Sequence, residues 1–367
     1  MPSAAVRVEQ IDVGVYRIPT EAPESDGTYE WEATTLVLVE ARGGGRTGLG
    51  FTYADAATAR LIQDSLAPMV RGRDARAVQG SWQAMVHAIR NLGRPGISSM
   101  GIAAVDAALW DLSARLVDQP LFLLLGAAHE AVPVYGSGGF TSYSIERLQS
   151  QLGGWAAQGL PRVKMKVGRD PAADASRVQA ARAAIGAQVE LFVDANGAYS
   201  RKQALSMAKQ FAEAGVAWFE EPVSSDDLDG LRLLRDRGPA GMAVAAGEYG
   251  YDLPYFHRML DAEVVDVLQA DASRCAGITE FLRVGALCAA RSMPLSAHCA
   301  PSLHVHACCA VPTLCHLEYF HDHVRIEHML FDGALSPVAG ALRPDGSRPG
   351  MGLDFKHADA ERFRVSF

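Results

Sequence analysis

With 367 residues, 49% of them hydrophobic and 21% charged, the chain has the composition of a soluble globular protein long enough for one barrel and a smaller domain. Its net charge of −8 argues against nucleic acid and anionic membrane surfaces as partners. The opening MPSAAVRVEQ lacks an apolar signal core and no apolar run approaches the roughly 18 residues of a membrane span, so a cytoplasmic location is expected.

Residues 1–130 have the rhythm of an N-terminal α+β capping domain. VRVEQIDVGVYRI and TTLVLVEA read as strands, and Gly43-Gly44-Gly45 turns the second into GLGFTYA, a three-stranded meander. No Gly-Lys-Ser/Thr follows the triple glycine, so it is a turn and not a phosphate cradle. Between the first two strands, TEAPESDGTYEWEA is polar but carries Tyr29 and Trp31, candidate substrate contacts. It reads equally as a lid over a site or as a solvated loop. Helical patterns follow at ATARLIQDSLAPMV, DARAVQGSWQAMVHAI and SSMGIAAVDAALWDLSARLV.

From 131 to 330 the pattern changes to short apolar runs that end in a charged residue or histidine, separated by helical stretches. The first run, AVPVYGSGGF, leads to Ser137. The second, RVKMKVG, carries Lys164 and Lys166 at i, i+2, which in a strand puts both ammonium groups on one face and Val163, Met165 and Val167 on the other. Then come Asp194, Glu220, Glu248, Asp271, His298 and Glu318, at steps of 28, 26, 28, 23, 27 and 20 residues counted from Lys166. Strand plus helix at this period, with polar residues at strand ends, is the signature of an α/β barrel, whose strand ends converge on one mouth. A doubly wound sheet would gather them at one switch point instead. Residues 331–367 are rich in turns, the turn pattern starting at Glu327, and are expected to fold back on the capping domain. The six cysteines all lie from Cys275 to Cys315 and read as buried thiols, not a disulfide framework.

Asp194, Glu220 and Glu248 end three successive strands and together offer oxygen ligands to one hard divalent cation, Mg²⁺ in preference to Zn²⁺. Asn196 and Glu221 fall beside them as second-layer partners. Lys166, crowded by Lys164, is expected to lose its proton easily enough to act as a base. Asp271 and His298 end neighbouring strands and form a proton-transfer pair. Glu318 is expected to stay protonated by burial and to donate a hydrogen bond to a developing oxyanion, unless it simply bonds a lysine. Cys299, His304, His306 and Cys308 have a loose metal-like spacing but fall in a helix pattern. His321, His323 and His328 read as loop histidines.

This combination resembles the mandelate racemase subgroup of the enolase superfamily over nearly the whole chain. The resemblance implies a modified (β/α)₇β TIM barrel with an α+β cap, Mg²⁺ on Asp194, Glu220 and Glu248, Lys166 as the base on one face, and His298 with Asp271 on the other. It further implies Lys164 and Ser137 at the substrate carboxylate and Glu318 as the electrophilic acid. The muconate-lactonising subgroup carries its lysine on the sixth strand, where this chain has only Arg274, so that reading is disfavoured. The implied chemistry is removal of the proton α to a carboxylate, giving an enediolate held by Mg²⁺, Lys164 and Glu318. Dehydration of an acid sugar to a 2-keto-3-deoxy acid is the expected outcome. Racemisation or epimerisation of an α-hydroxy acid is the alternative, and a non-catalytic metabolite-binding barrel a second. A small-molecule carboxylate substrate and a homo-oligomeric state are implied as well.

Overall fold

In the computed structural model, residues 5–367 are described; residues 1–4, the start of the stretch searched for a signal core, lie outside them. Strands β1 (Gln10–Ser25), β2 (Glu30–Gly43) and β3 (Arg46–Tyr53) form the antiparallel meander. Its apolar run is buried on both sides because successive side chains leave a strand in opposite directions. Leu36 and Leu38 join the core that contains the barrel strands, and Val37 and Val39 join a second core under the cap helices.

The helix expected over 57–70 forms as α1 (Ala57–Leu61) and α2 (Ala67–Val70), joined through a π-helical turn at Ile62–Leu66. The interruption lies just ahead of Pro68, which has no N–H to continue the ladder. Helices α3 (Val78–Ala88), α4 (Ile97–Leu116) and α5 (Leu121–Leu124) complete the cap. No helix among the described residues is long and apolar enough to cross a membrane.

Eight parallel strands follow: β4 (Val132–Gly138), β5 (Arg162–Lys166), β6 (Glu190–Asp194), β7 (Val216–Glu220), β8 (Ala243–Ala246), β9 (Val267–Ala270), β10 (Leu295–Ala297) and β11 (Leu314–Phe320). Each pairs with the next, and β11 pairs with β4 to close the ring. Between them run α6 (Ile145–Ala157), α7 (Pro171–Ile185), α8 (Arg201–Glu213), α9 (Leu228–Arg237), α10 (Leu253–Asp261), α11 (Ile278–Ala290) and α12 (Pro301–Cys309). The result is a (β/α)₇β barrel. Tyr135, Phe192, Trp218 and His316 fill its interior below the mouth, the Phe192 and Trp218 rings stacked with centroids 5.1 Å apart. Burial pushes the His316 imidazole down to about 3, so it serves this packing as a neutral ring.

The turn-rich stretch expected from Glu327 begins later than its composition suggests. Helix α13 (His321–Leu330) runs through it, because Ile326, Glu327 and Leu330 are buried. Beyond it are β12 (Phe331–Asp332), β13 (Ala341–Leu342), paired with the start of β4, and β14 (Asp354–Phe355), paired with β12. This segment touches α4, where the Met351 N–H donates to Asp111 and Arg115 bonds Asp354. All six cysteines are free.

Glu327 gives the fold a pH dependence. Its Oε2 accepts the Ser302 N–H at the start of α12 at 3.0 Å, its Oε1 has no partner, and burial pushes the carboxyl from 4.5 up to about 8. The folded chain therefore holds a proton that the unfolded chain has released. The stability this contributes is complete below pH 4.5 and is lost as pH rises to about 8. Glu327→Gln should lose less stability between pH 5 and pH 8 than the parent when urea unfolding is measured at both.

Candidate active site

The parallel strands aim their C-terminal ends at the cap. Lys166, Asp194 and Glu220 are the last residues of β5, β6 and β7 and pair in register across the sheet. Glu248 follows β8 after Gly247, whose φ of 135° suits glycine and whose Cβ would strike the Gln269 carbonyl. Asp271 and His298 immediately follow β9 and β10. Glu318 lies inside β11, which continues to Phe320, so its side chain sits beside Lys164 and not at the rim. The backbone takes left-handed conformations at Asn196 and Glu221, and again at Cys299 and Ala300. Such strain is held by surrounding structure and concentrates at functional sites.

Asp194, Glu220 and Glu248 each offer a carboxylate oxygen within 4.8 Å of the others, and all three are buried. Glu248 Oε2 has no hydrogen bond, nor do Oδ1 of Asn196 and Oε1 of Glu221. Burial, then the charges of their neighbours, push the Glu220 and Glu221 carboxyls well above the usual range. An all-oxygen donor set under mutual repulsion fits a hard divalent cation such as Mg²⁺.

The two lysines answer this surplus of negative charge. Lys164 Nζ is 2.5 Å from Glu220, 2.9 Å from Glu318 and 3.6 Å from Asp194, and Lys166 Nζ is 2.5 Å from Asp194. Here the structure departs from two expectations. Burial and Lys164 oppose the Lys166 charge, but Asp194, Glu248 and Glu318 together outweigh them, so in this arrangement the ammonium is held charged. Burial likewise raises Glu318, but Lys164, His298 and Lys166 hold it below the usual carboxylate range, so it is ionised and bonds the lysine.

His298 Nδ1 is 2.8 Å from Asp271 Oδ2, and Asp271 is ionised: the His298 hydrogen bond, His304 and Arg274 overcome its burial. Nδ1–H therefore donates to Asp271, which leaves Nε2, at the cavity, as the ring nitrogen free of that bond. Around it lie Cys299 Sγ at 3.2 Å, Glu248 Oε2 at 3.3 Å and Glu318 Oε2 at 3.6 Å. Asp271 is fixed in turn by Ser273, whose N–H and hydroxyl both donate to Oδ1 at 2.7 Å. His304 adds to this network: its Nε2 accepts the Ala272 N–H and its Nδ1–H donates to the Ala300 carbonyl.

These groups open into a cavity of about 470 Å³ whose roof is the cap. The polar stretch between the first two strands is not an irregular loop. It is the end of the β1–β2 hairpin, turned at Asp26, whose Oδ1 accepts the Thr28 and Tyr29 N–H groups. Tyr29 and Trp31 line the cavity, stacked 6.1 Å apart. Ser137 is fully buried, in register between Lys164 and Phe320, and lies beneath the cavity wall. His323, read from sequence as a loop residue, is on α13, stacked on Tyr53 at 3.5 Å and facing the cavity. The loose Cys/His quartet does not assemble as one group among the described residues; Cys299 and His304 join the site separately.

The hairpin tip rests directly on the barrel. A Cβ on Gly27 would come within 2.7 Å of the Val167 carbonyl oxygen and also strike that of Ala195. Gly27→Ala should therefore lift the tip and raise KM at least severalfold with little change in melting temperature, as steady-state kinetics and a thermal melt would show.

The description "Mandelate racemase / muconate lactonizing enzyme, N-terminal domain" matches residues 11–126, and "Enolase C-terminal domain-like" matches residues 147–360. A 3,6-anhydro-alpha-L-galactonate cycloisomerase from Streptomyces coelicolor is 33% identical, over 95% of this chain and 98% of its own. The crystal structure of a mandelate racemase/muconate lactonizing enzyme-like protein from Rubrobacter xylanophilus superposes with a TM-score of 0.96 at 58% identity, covering 98% of this chain and all of that one. That of an L-talarate dehydratase from a Polaromonas species, complexed with Mg and L-glucarate, does so with a TM-score of 0.89 at 28% identity, over 99% and 98% of the two chains.

Proposed function

The chain belongs to the mandelate racemase/muconate lactonizing enzyme family of the enolase superfamily, and from that premise we propose that it dehydrates an acid sugar to a 2-keto-3-deoxy acid. The observation that carries this reading is that two proton-handling groups, Lys166 and His298, face one cavity beside a buried trio of carboxylates.

Asp194, Glu220 and Glu248 would hold Mg²⁺, which would supply positive charge that makes the α-proton of a bound carboxylate more acidic. Lys164 adds a second positive charge, fixed by its buried partners, next to the substrate carboxylate. Lys166 Nζ, freed where a cation on Asp194 offsets the carboxylate charge that holds its proton, would take the α-proton from one face of the substrate. His298, oriented by Asp271, delivers a proton from Nε2 to the β-hydroxyl, which leaves as water with the C–O electron pair. The resulting enol becomes the 2-keto-3-deoxy acid by taking a proton at C3. Asn196 and Glu221 support the trio, and Glu318 holds Lys164 in place.

The same two groups also serve inversion at the α-carbon, if His298 returns a proton to the opposite face and the hydroxyl stays. Proton NMR in D₂O with Mg²⁺ and a panel of acid sugars and aromatic α-hydroxy acids separates the outcomes. Conversion to a 2-keto-3-deoxy product is the expected result. Deuterium at the α-carbon of unconsumed substrate would replace dehydration with epimerisation.

A further inference from the structure

The cavity's charge is unevenly divided between floor and roof. Its floor has Lys166, with Lys164 fully buried behind it beside the carboxylate trio. Its roof is built by the cap, and the charged groups there are Asp26 and Asp55. Among the described residues lining the cavity, the lysine and arginine are Lys166 and Arg274, both from the barrel. Arg274 is already matched: its Nη1 is 3.3 Å from Glu248 Oε1, its Nε 3.6 Å from Asp271, and its guanidinium covers the Tyr249 ring. His323 accepts the Ala300 N–H at Nδ1 while stacked on Tyr53, and burial keeps it neutral.

We propose that the substrate is a monocarboxylic acid sugar, an aldonate, whose uncharged polyol end lies under the cap, and that aldarates, with a second carboxylate at that end, are rejected. This rests on the proton-abstraction reading above. A carboxylate under the roof would approach the buried Asp26 and the exposed Asp55 with no cation from the cap to meet it, and such like-charge juxtaposition is unfavourable. A polyol suits the same surface. Its hydroxyls donate to the Asp55 carboxylate, and its C–H faces lie against the stacked rings of Tyr29 and Trp31.

The test compares aldonate and aldarate of identical stereochemistry, such as galactonate with galactarate and gluconate with glucarate, using the Mg²⁺-loaded enzyme and proton NMR in D₂O. In the pair that reacts, kcat/KM for the aldonate should exceed that for the aldarate by about 100-fold or more. Asp55→Lys should narrow that ratio about tenfold. Aldarate turnover equal to or faster than that of the aldonate, or an unchanged ratio in Asp55→Lys, overturns the proposal. If neither class loses or exchanges its α-proton, proton abstraction itself fails, and the two failures are thereby distinguished.

Discussion

Lys166→Ala and His298→Asn will each lower turnover by about 10³-fold, the scale of general acid–base contributions. They will fail differently. Lys166→Ala removes the group on one face, so α-deuterium incorporation from that face disappears while His298 continues to exchange protons from the other. His298→Asn leaves an N–H to donate to Asp271, keeping that carboxylate satisfied at the place of the present 2.8 Å bond, but removes the Nε2 that moves the proton. Deuterium exchange followed separately for the two α-epimers measures both effects. Circular dichroism with Mg²⁺ present guards against misfolding, since Lys166→Ala also strips Asp194 of its closest cation. Full turnover in both variants would overturn the assigned roles.

Removing Mg²⁺ with a chelator will abolish turnover and lower the melting temperature, and adding it back will restore both. The stability gain follows from mass action, about 2.7 kcal/mol when free Mg²⁺ is 100 times Kd. Glu221→Gln gives this prediction its sharper form. Its carboxyl is fully buried, one oxygen has no partner, and its pKa is pushed well above the usual range by burial and by Glu248, Asp194 and Glu220. Below that raised pKa the carboxyl keeps its proton and costs the fold little; as pH rises through it, stability is lost. Glutamine has no such charge, so the metal-free variant should hold its melting temperature at alkaline pH where the parent falls. Its Mg²⁺ affinity should be about 10- to 100-fold weaker, as for other groups that back a ligand. A calorimetric titration and melts across pH, with and without Mg²⁺, read out both.

What could be read in advance was whatever depends on local period. The spacing of strand ends from Lys166 to Glu318 gives the barrel, because each βα unit must return the chain to the same mouth, and the alternation in RVKMKV gives the shared face of the two lysines. What stayed hidden depends on partners far away in sequence. Whether Glu318 is protonated is decided by Lys164, which it meets only because β11 closes on β4. His323 becomes a cavity residue through Tyr53, 270 positions earlier. The polar residues after Pro19 looked like loop because a strand that projects beyond its sheet's buried area has no need of apolar alternation. His304 carried no signal beyond its place in a helix, since its role comes from the turn it fastens after β9.

The sheet whose neighbouring side chains serve two cores also governs traffic. Leu36, Leu38, Leu49 and Phe51 are embedded in the core shared with the barrel, so the cap cannot hinge away as a body without exposing them to water. What is left to move is the hairpin end beyond the irregularity between Pro19 and Glu24, where Tyr29 stands 67% exposed. A ligand entering or leaving the cavity passes beside that tip, whose Tyr29 and Trp31 line it. The pace of exchange with solvent is thus set by a few residues that take no part in breaking bonds, and solvent viscosity, not isotopic substitution at the α-carbon, becomes the lever on turnover once chemistry is fast.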